Sequence, residues 1–574
     1  MTNARRIELA LLALIVIAAA VAIAQSWNRC LDPIIDTGRD LYISEQLHHG
    51  TRLYGDIRYN YPPLAPYLLA AITAVTGNSL RAYAAIGLVS GLLIAAALYF
   101  FLRKTAGLAA ALLFVACYLC GASTFGANYL FPYSYAATLG MLFFIVFGAL
   151  LYRHLYVAPG WALAGALLCG LAAAWSRIEL AACVLLIVLF VAIVHRVHAA
   201  WLWFAAMLIL IAIAAAFFGP ALRDNVLSAS LLGGESARVF YRRVTGLQNW
   251  PRRLALSAIA AVVVSGAAAM IALLERVRAQ RLAATLLYIA LAVATALMTG
   301  SLFFNSWSIL QLVLLPFALR RPREPLLLLL LLSLVSTARV YLNLSPAWYG
   351  FVFTVPALVL IVYTLFEWLP AQGFYSKPFA LLWLPALILI SGRYLYEQRE
   401  AYALKTERIA TGRGVLYDAN RDRARALNEA LPLLRGAQSL AVFPEGLTLN
   451  YLAGVKTPLT FHTFIPPETA DPRVEQRILA ELQSRPPEYV AIVTREVREF
   501  GYRGFAIDYD QRIGGQLRQD YQPVARWPGA TFSLVILRRR DAEGSPRAWR
   551  EIHPPSTGLR MTPPARRSAA APRG

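Results

Sequence analysis

The chain has 574 residues, 58% of them hydrophobic and only 15% charged, with a formal net charge of +22. Its apolar residues come in long runs instead of amphipathic stripes, which excludes an ordinary soluble domain and places the chain in the membrane class. The Arg residues sit in short clusters between those runs and in the C-terminal tail, without a basic helix or an aromatic sheet platform, so no nucleic-acid partner is expected.

A helix needs about 20 mostly apolar residues to cross roughly 30 Å of hydrocarbon. Residues 7–24 meet this with a single Glu8 near the start. Ala22-Ile23-Ala24 after a basic start resembles a signal-peptide cleavage site, but the apolar run exceeds a usual signal core and reads as a retained first span. Further runs begin near residues 62, 80, 106, 133, 160, 178, 199, 255, 281, 303, 325, 346 and 377. The run from Pro62 to Thr76 is short, proline-led and bounded by Gly77-Asn78, so it reads as a juxtamembrane helix, leaving about thirteen spans.

With the N-terminus inside, the basic loops at Arg103-Lys104, Arg153-His154, His195 to His198, 275–281, 320–324 and 367–377 all fall on the inner side. That is the positive-inside pattern, and it puts the C-terminal region outside. Outside also lie the first loop (26–79), a loop at 121–132, the Ser176 to Glu179 turn and a long loop at 219–254. Residues 1–395 thus read as a transmembrane domain.

From about residue 396 the composition turns mixed. Helices are expected at 421–434 and 472–483, and strands at 439–443, 489–494 and 532–537. The fold class is mainly α, a polytopic transmembrane helical protein with a small extracytoplasmic α/β domain over 396–540. Residues 541–574, rich in Pro, Ser, Ala and Arg, read as a disordered basic tail. Cys117, Cys120, Cys169 and Cys183 lie inside apolar runs and Cys30 stands alone at a membrane edge, so no disulfide framework follows, and the C-x-x-C at Cys117 reads as two small buried thiols.

The first outer loop packs Asp32, Asp36, Asp40, Glu45 and Asp56 among Arg39, Arg52 and Arg58. Asp36 and Asp40 are four apart, so a helix would put both carboxylates on one face. Such a pair can take a proton from a hydroxyl while neighbouring Arg groups neutralise a phosphate leaving group, chemistry that suits transfer from a lipid phosphate. A solvated loop with local Asp-Arg pairs is the plainer reading.

This loop resembles that of the GT-C fold polytopic glycosyltransferases, in particular the protein O-mannosyltransferase and lipid A aminoarabinose transferase-like branch. The resemblance is carried by Asp36 just after the first span, with Arg39-Asp40 in a D-x-G-R-[DE]-x-Y pattern, then Gly50, Leu53-Tyr54-x-Asp56, and Tyr61-Pro62-Pro63-Leu64. It extends as architecture through the spans and the outer domain. It implies inverting transfer of a sugar from a polyprenyl-phosphate donor to a glycan, lipid or protein acceptor on the outer face. Carried onto this chain, Asp36 is the base and Asp40 its companion, with Arg58, Tyr59, Tyr61 and Asp56 near the donor phosphate. Two positions depart from the pattern: Thr37 stands where an Asp-Glu pair is frequent, and Pro62 where some relatives have Lys. Phosphate binding then falls to an Arg, with Arg58 nearest and Arg339, Arg242, Arg243, Arg252 and Arg253 as further outer-side candidates.

Arg177 and Glu179 stand at an outer turn, where charges are costly unless paired or facing a polar cavity. An interfacial ion pair would explain them too. Arg339 closes an apolar helix before Tyr341, Trp348-Tyr349 and Pro356, and reads either as a donor ligand or as a snorkelling anchor. Asn128, Tyr129 and Tyr133 could touch sugar or belong to an aromatic belt. His48-His49 and His195/His198 lack a third converging ligand, so neither a metal site nor a cofactor is assigned. Glu445 follows a strand and opens a helix, where its charge favours the helix start; His462 and Tyr451 have no assigned role. The rival readings are a lipid-linked sugar transporter or flippase, which would show repeat-related halves and interrupted helices, and a non-catalytic scaffold, for which one or two spans suffice. Fifty Arg against four Lys point to a GC-rich bacterial genome and hence a multi-pass protein of the plasma (inner) membrane with its active face toward the periplasm.

Overall fold

Inside hydrocarbon each backbone N–H and C=O must be satisfied within its own segment, so the long apolar runs fold as helices. The computed structural model describes residues 3–120, 128–131, 134–227, 235–277, 285 and 300–540. In chain order the first helices are α1 (Asn3–Ser26), α2 (Thr37–His48), α3 (Leu64–Thr76), α4 (Leu80–Thr105), α5 (Leu108–Cys120), α6 (Tyr135–Tyr156), α7 (Ala162–Ala174), α8 (Ile178–Val194) and α9 (Ala199–Phe218). They are followed by α10 (Glu235–Thr245), α11 (Trp250–Arg276), α12 (Gly300–Arg320), α13 (Pro325–Thr337), α14 (Val355–Tyr363) and α15 (Trp383–Ala403).

Among the described residues nine helical stretches are long and apolar enough to cross a membrane, and α3, α7 and α8 are shorter apolar helices. The chain is a polytopic membrane protein. Leu14, Ile17, Leu208, Phe217 and Val262 are exposed on these helices, as lipid-facing residues must be. The 13 residues of α3 are too few for a full crossing. The run expected from 281, most of the loop at 121–132 with Tyr133, the side chains of Cys117 and Cys120, and the tail 541–574 lie outside the described residues.

Helix α13 does not continue regularly. A 3₁₀ segment, Ala338–Asn343, follows it with Val340 off helical geometry at φ −123°. This tighter turn places Arg339 on one side of the bundle and Asn343 on another, each lining a different cavity.

Beyond α15 the chain forms an antiparallel hairpin, β1 (Glu407–Thr411) with β2 (Gly414–Asp418), and then α16 (Arg421–Leu434). A four-stranded sheet has the order β3-β4-β6-β5, from β3 (Leu440–Phe443), β4 (Tyr489–Val493), β5 (Tyr521–Trp527) and β6 (Leu534–Arg539). Strands β3 and β4 are parallel, and the other pairs antiparallel. Helices α17 (Leu447–Ala453), α18 (Pro472–Ser484) and α19 (Gln511–Asp520) complete the domain. The expected helices and strands lie within a residue or two of these bounds, but the hairpin, α19 and β5 were not anticipated. Gly514-Gly515 weaken the helix signal of α19. Pro523 hides β5, which tolerates it because the strand is at the sheet edge and its register shifts there, between Pro523 and Ala525.

The domain sits on the first loop through many polar ties. Arg413 Nη1 meets Glu45 Oε1 at 2.6 Å and Arg423 Nη1 meets Asp32 Oδ2 at 3.2 Å. Arg58 N donates to Thr460 O at 2.9 Å, and Tyr451 Oη to Asn78 O at 2.7 Å. Gly38 in the first turn of α2 lies against α17 so closely that a Cβ would fall 1.9 Å from Thr448 Oγ1. Only glycine fits there.

Candidate active site

The residues before α2 set the geometry of the site. Asp36 is the N-cap of α2, at φ 59° and ψ −83°. A non-glycine residue with positive φ is uncommon and is held there only by its surroundings. That backbone turns the Asp36 side chain away from the helix and into a cavity of about 320 Å³ enclosed by the first loop, the neighbouring helix ends and the C-terminal domain.

From the first loop the cavity takes Asp32, Asp36, Arg39, Asn60 and Tyr61; from the helix ends Glu179, Tyr241, Arg339 and Tyr349; from α15's exit Lys405. The C-terminal domain adds Glu445, Thr463, Glu468, Arg495 and Glu499. Its cations differ in how tightly they are held. Arg339 Nη1 lies 2.6 Å from Glu179 Oε1, and Arg495 Nε 2.8 Å from Glu445 Oε2 with Nη2 3.3 Å from Glu499. Arg39 Nε approaches Asp40 only to 3.6 Å and has no hydrogen-bond partner among the described residues. Lys405 Nζ donates to the Arg29 carbonyl and makes no ion pair among the described residues. Burial, opposed by Asp32, lowers its pKa below the ordinary lysine value.

Tyr61 lies between guanidinium groups, 4.0 Å from Arg177 and 5.2 Å from Arg39. These cation–π contacts fix its ring at the cavity wall. Glu468 receives a hydrogen bond from Asn60 at 3.0 Å. Burial raises its pKa, and Arg58 and Arg39 only partly oppose that. His462 is buried beneath the wall. Burial first, then Arg39 and Arg58, push its pKa down to about 3, so it stays neutral.

The sequence candidates therefore divide. Asp36, Tyr61, Glu179 and Arg339 line the cavity. Arg177, 4% exposed, stands behind Tyr61 and holds Glu179 at 3.0 Å. Asp40 does not share a face with Asp36, because the helix begins one residue after Asp36. Instead Asp40 Oδ2 accepts from Tyr135 N at 2.8 Å and caps α6 from inside the core. Arg58 is turned from the cavity toward the Phe461 ring at 4.8 Å and Glu468 at 4.0 Å. Tyr59 is buried behind Tyr61, with which it makes an edge contact. Asp56 pairs with Arg52 at the surface, 3.2 Å away, beside a different hollow.

Arg243 meets Glu499 at 3.6 Å near the cavity, and Arg253 lines a separate one. Asn128 and Tyr129 are buried: Asn128 bonds the Leu130 and Phe131 amides, and Tyr129 bonds Thr354. Glu445 precedes a helix as expected, yet its carboxylate goes to Arg495. Lys405, Arg495, Glu468 and Glu499 were not singled out from the sequence. One signal could have found Arg495. Glu445 and Arg495 each stand two residues beyond the carboxyl end of adjacent parallel strands, β3 and β4, where side chains of such sheets converge.

No protein-family model matches the chain, and no curated protein matches its sequence. A solved structure of ArnT from Cupriavidus metallidurans bound to undecaprenyl phosphate does match, at TM-score 0.50 and 14% identity, covering 91% of this chain and 98% of that one. The fold is the GT-C fold. An oligosaccharyltransferase from Archaeoglobus fulgidus, in complex with zinc and sulfate, is also similar, at TM-score 0.45 and 14% identity over 83% of this chain and 67% of its own. In this GT-C chain the cavity sits between the spans and the domain that follows them.

Proposed function

We propose that the chain is a membrane glycosyltransferase that moves a sugar from a polyprenyl-phosphate donor to an acceptor hydroxyl, with inversion. The observation that carries this is the strained Asp36 opening into a cavity that also holds Arg39, Arg339, Lys405 and Arg495, directly above the apolar spans. A lipid-phosphate sugar fits that arrangement, its chain among the helices and its head among the cations. The match to an ArnT structure bound to undecaprenyl phosphate supports the same class of donor.

In this reading Asp36 takes the proton of the acceptor hydroxyl. The oxygen attacks the anomeric carbon from the face opposite the phosphate, the bond from that carbon to the phosphate oxygen breaks, and the lipid phosphate leaves with the electron pair. Arg39 and Lys405, the cations least committed to carboxylates, receive its charge, and Arg339 and Arg495 hold the walls. Arg103-Lys104, Arg153 and Arg320 stand in the last turns of their helices, away from the cavity, which by the positive-inside rule supports an extracytoplasmic cavity face.

Purified full-length protein in lipid nanodiscs, given a radiolabelled polyprenyl-phosphate sugar and envelope extract, tests the reading. Label should pass to an acceptor with inverted anomeric configuration. Movement of intact donor across vesicles without transfer would overturn it in favour of a flippase.

A further inference from the structure

A second cavity of about 280 Å³ lies on the other side of the 3₁₀ segment that carries Arg339. It is lined by Arg253 of α11, Ser301 and Asn305 of α12, Asn343 and Ser345, and Arg393, Tyr394 and Glu397 of α15. Nothing in the transfer chemistry uses it.

Arg393 Nε is paired with Glu397 at 2.8 Å, whereas Arg253 is half-buried and makes no ion pair among the described residues. Among the described residues that line it, Arg253, Arg393 and Glu397 thus leave a net charge of +1. Asn305 is 7% exposed, and its buried Oδ1 has no hydrogen-bond partner among the described residues. A buried amide oxygen without a donor is costly to leave unpaired, so the position fits a hydroxyl-bearing ligand that would donate to it. Ser345, whose hydroxyl lies 3.4 Å from Tyr394 Oη, supplies further hydroxyl partners.

The polar lining stops one helical turn into the bundle. Tyr394 belongs to both this cavity and an adjoining apolar cleft lined by Phe303, Phe304, Leu387 and Ile390. On α15 the apolar Leu387 and Ile390 lie about 5 Å deeper than the polar Arg393 and Tyr394, roughly one turn at 1.5 Å per residue, whereas on α12 Phe303 and Phe304 lie between Ser301 and Asn305. Ile259 of α11 and Ile388 and Leu389 of α15 are exposed, as on a lipid-facing surface.

We infer that this cavity binds a phospholipid with a singly charged phosphodiester and a hydroxyl-bearing headgroup. Arg253 holds the phosphate, Asn305 and the Ser301/Ser345 hydroxyls hold the headgroup, and the acyl chains run down the exposed apolar surface of Ile259, Ile388 and Leu389. The single net charge fits a phosphodiester better than the doubly charged phosphomonoester released in the transfer.

Native mass spectrometry of the full chain with phosphatidylglycerol or phosphatidylcholine tests the site. Phosphatidylglycerol should be retained selectively, and Arg253→Gln should reduce its retention about tenfold, as loss of a charge-assisted contact does. Asn305→Asp, isosteric but repelling the phosphate, should do the same, while Arg252→Gln one residue away should not. Equal retention of phosphatidylcholine would overturn the inference, as would unchanged retention in Arg253→Gln, a half-exposed position that does not threaten folding. Displacement of the lipid by sn-glycerol 3-phosphate would overturn it in favour of a site for soluble anions.

Discussion

Glu179 Oε1 lies 2.6 Å from Arg339 Nη1, joining two turns far apart in sequence at one corner of the cavity. The same oxygen holds Arg177 at 3.0 Å, and Arg177 in turn supports Tyr61. One carboxylate thus keeps two guanidinium groups and a wall ring in place. Breaking a fully buried pair by removing one partner costs about 3–5 kcal/mol, because the other charge is left uncompensated, and less where, as here, Glu179 and Arg339 are partly open to the cavity. Glu179→Gln should therefore lower the melting temperature of the detergent-solubilised protein clearly, and Arg339→Gln combined with it should cost less than the sum of the singles. Strict additivity would show that the residues do not act as a unit.

Asp40 acts as a cap for α6. Asp40→Asn keeps an acceptor for the Tyr135 amide and should leave both melting temperature and transfer largely intact. Asp40→Ala should destabilise the protein by about 0.5–2 kcal/mol, the usual cost of a lost cap. A chemical role would reverse the pattern, with Asp40→Asn stable but inactive.

The contact between α2 and α17 depends on Gly38. Gly38→Ala should loosen the C-terminal domain, seen as faster limited proteolysis after α15. Thr448→Ala should not rescue it, since the added Cβ also falls 2.4 Å from the Thr448 Cα. Unchanged proteolysis would mean that the docking is not so tightly packed.

Asp510 in the C-terminal domain is 3% exposed and accepts a hydrogen bond from Thr469 at 2.6 Å. Burial raises its pKa to about 7, with Glu475 adding to the rise. The folded state holds this proton more tightly than the unfolded one, whose carboxyl titrates near 3.9. Its stabilising share is therefore full at low pH and is lost as pH rises from about 4 to about 7, on the order of 4 kcal/mol at most. Thermal melts of Asp510→Asn across that range should show a flatter pH dependence and greater stability than wild type at pH 8. Parallel curves would refute the assignment.

Much of the architecture was legible because membrane spans write themselves as uninterrupted apolar runs, and Arg421–Leu434 as a 3.6-residue period. The first loop stood out because its charges lie between spans, where only paired or functional charges persist. The spacing of Asp36 and Asp40 misled: a four-residue interval places side chains together only if both belong to the helix, and α2 starts at Thr37. Lys405 carried no local sign, since it is an ordinary polar residue until the fold closes the C-terminal domain over the first loop, and Arg495 was marked only by its place just past β4. Arg58 sits in a charged stretch but is drawn to Phe461 and Glu468, partners some four hundred residues away in the chain.

The most direct test of the central claim is the single-turnover rate of sugar transfer by purified Asp36→Asn, at saturating lipid-phosphate donor. General-base catalysis by Asp36 predicts a loss of about 10²–10⁴-fold with the melting temperature unchanged. Transfer at the wild-type rate by a folded Asp36→Asn protein would contradict it.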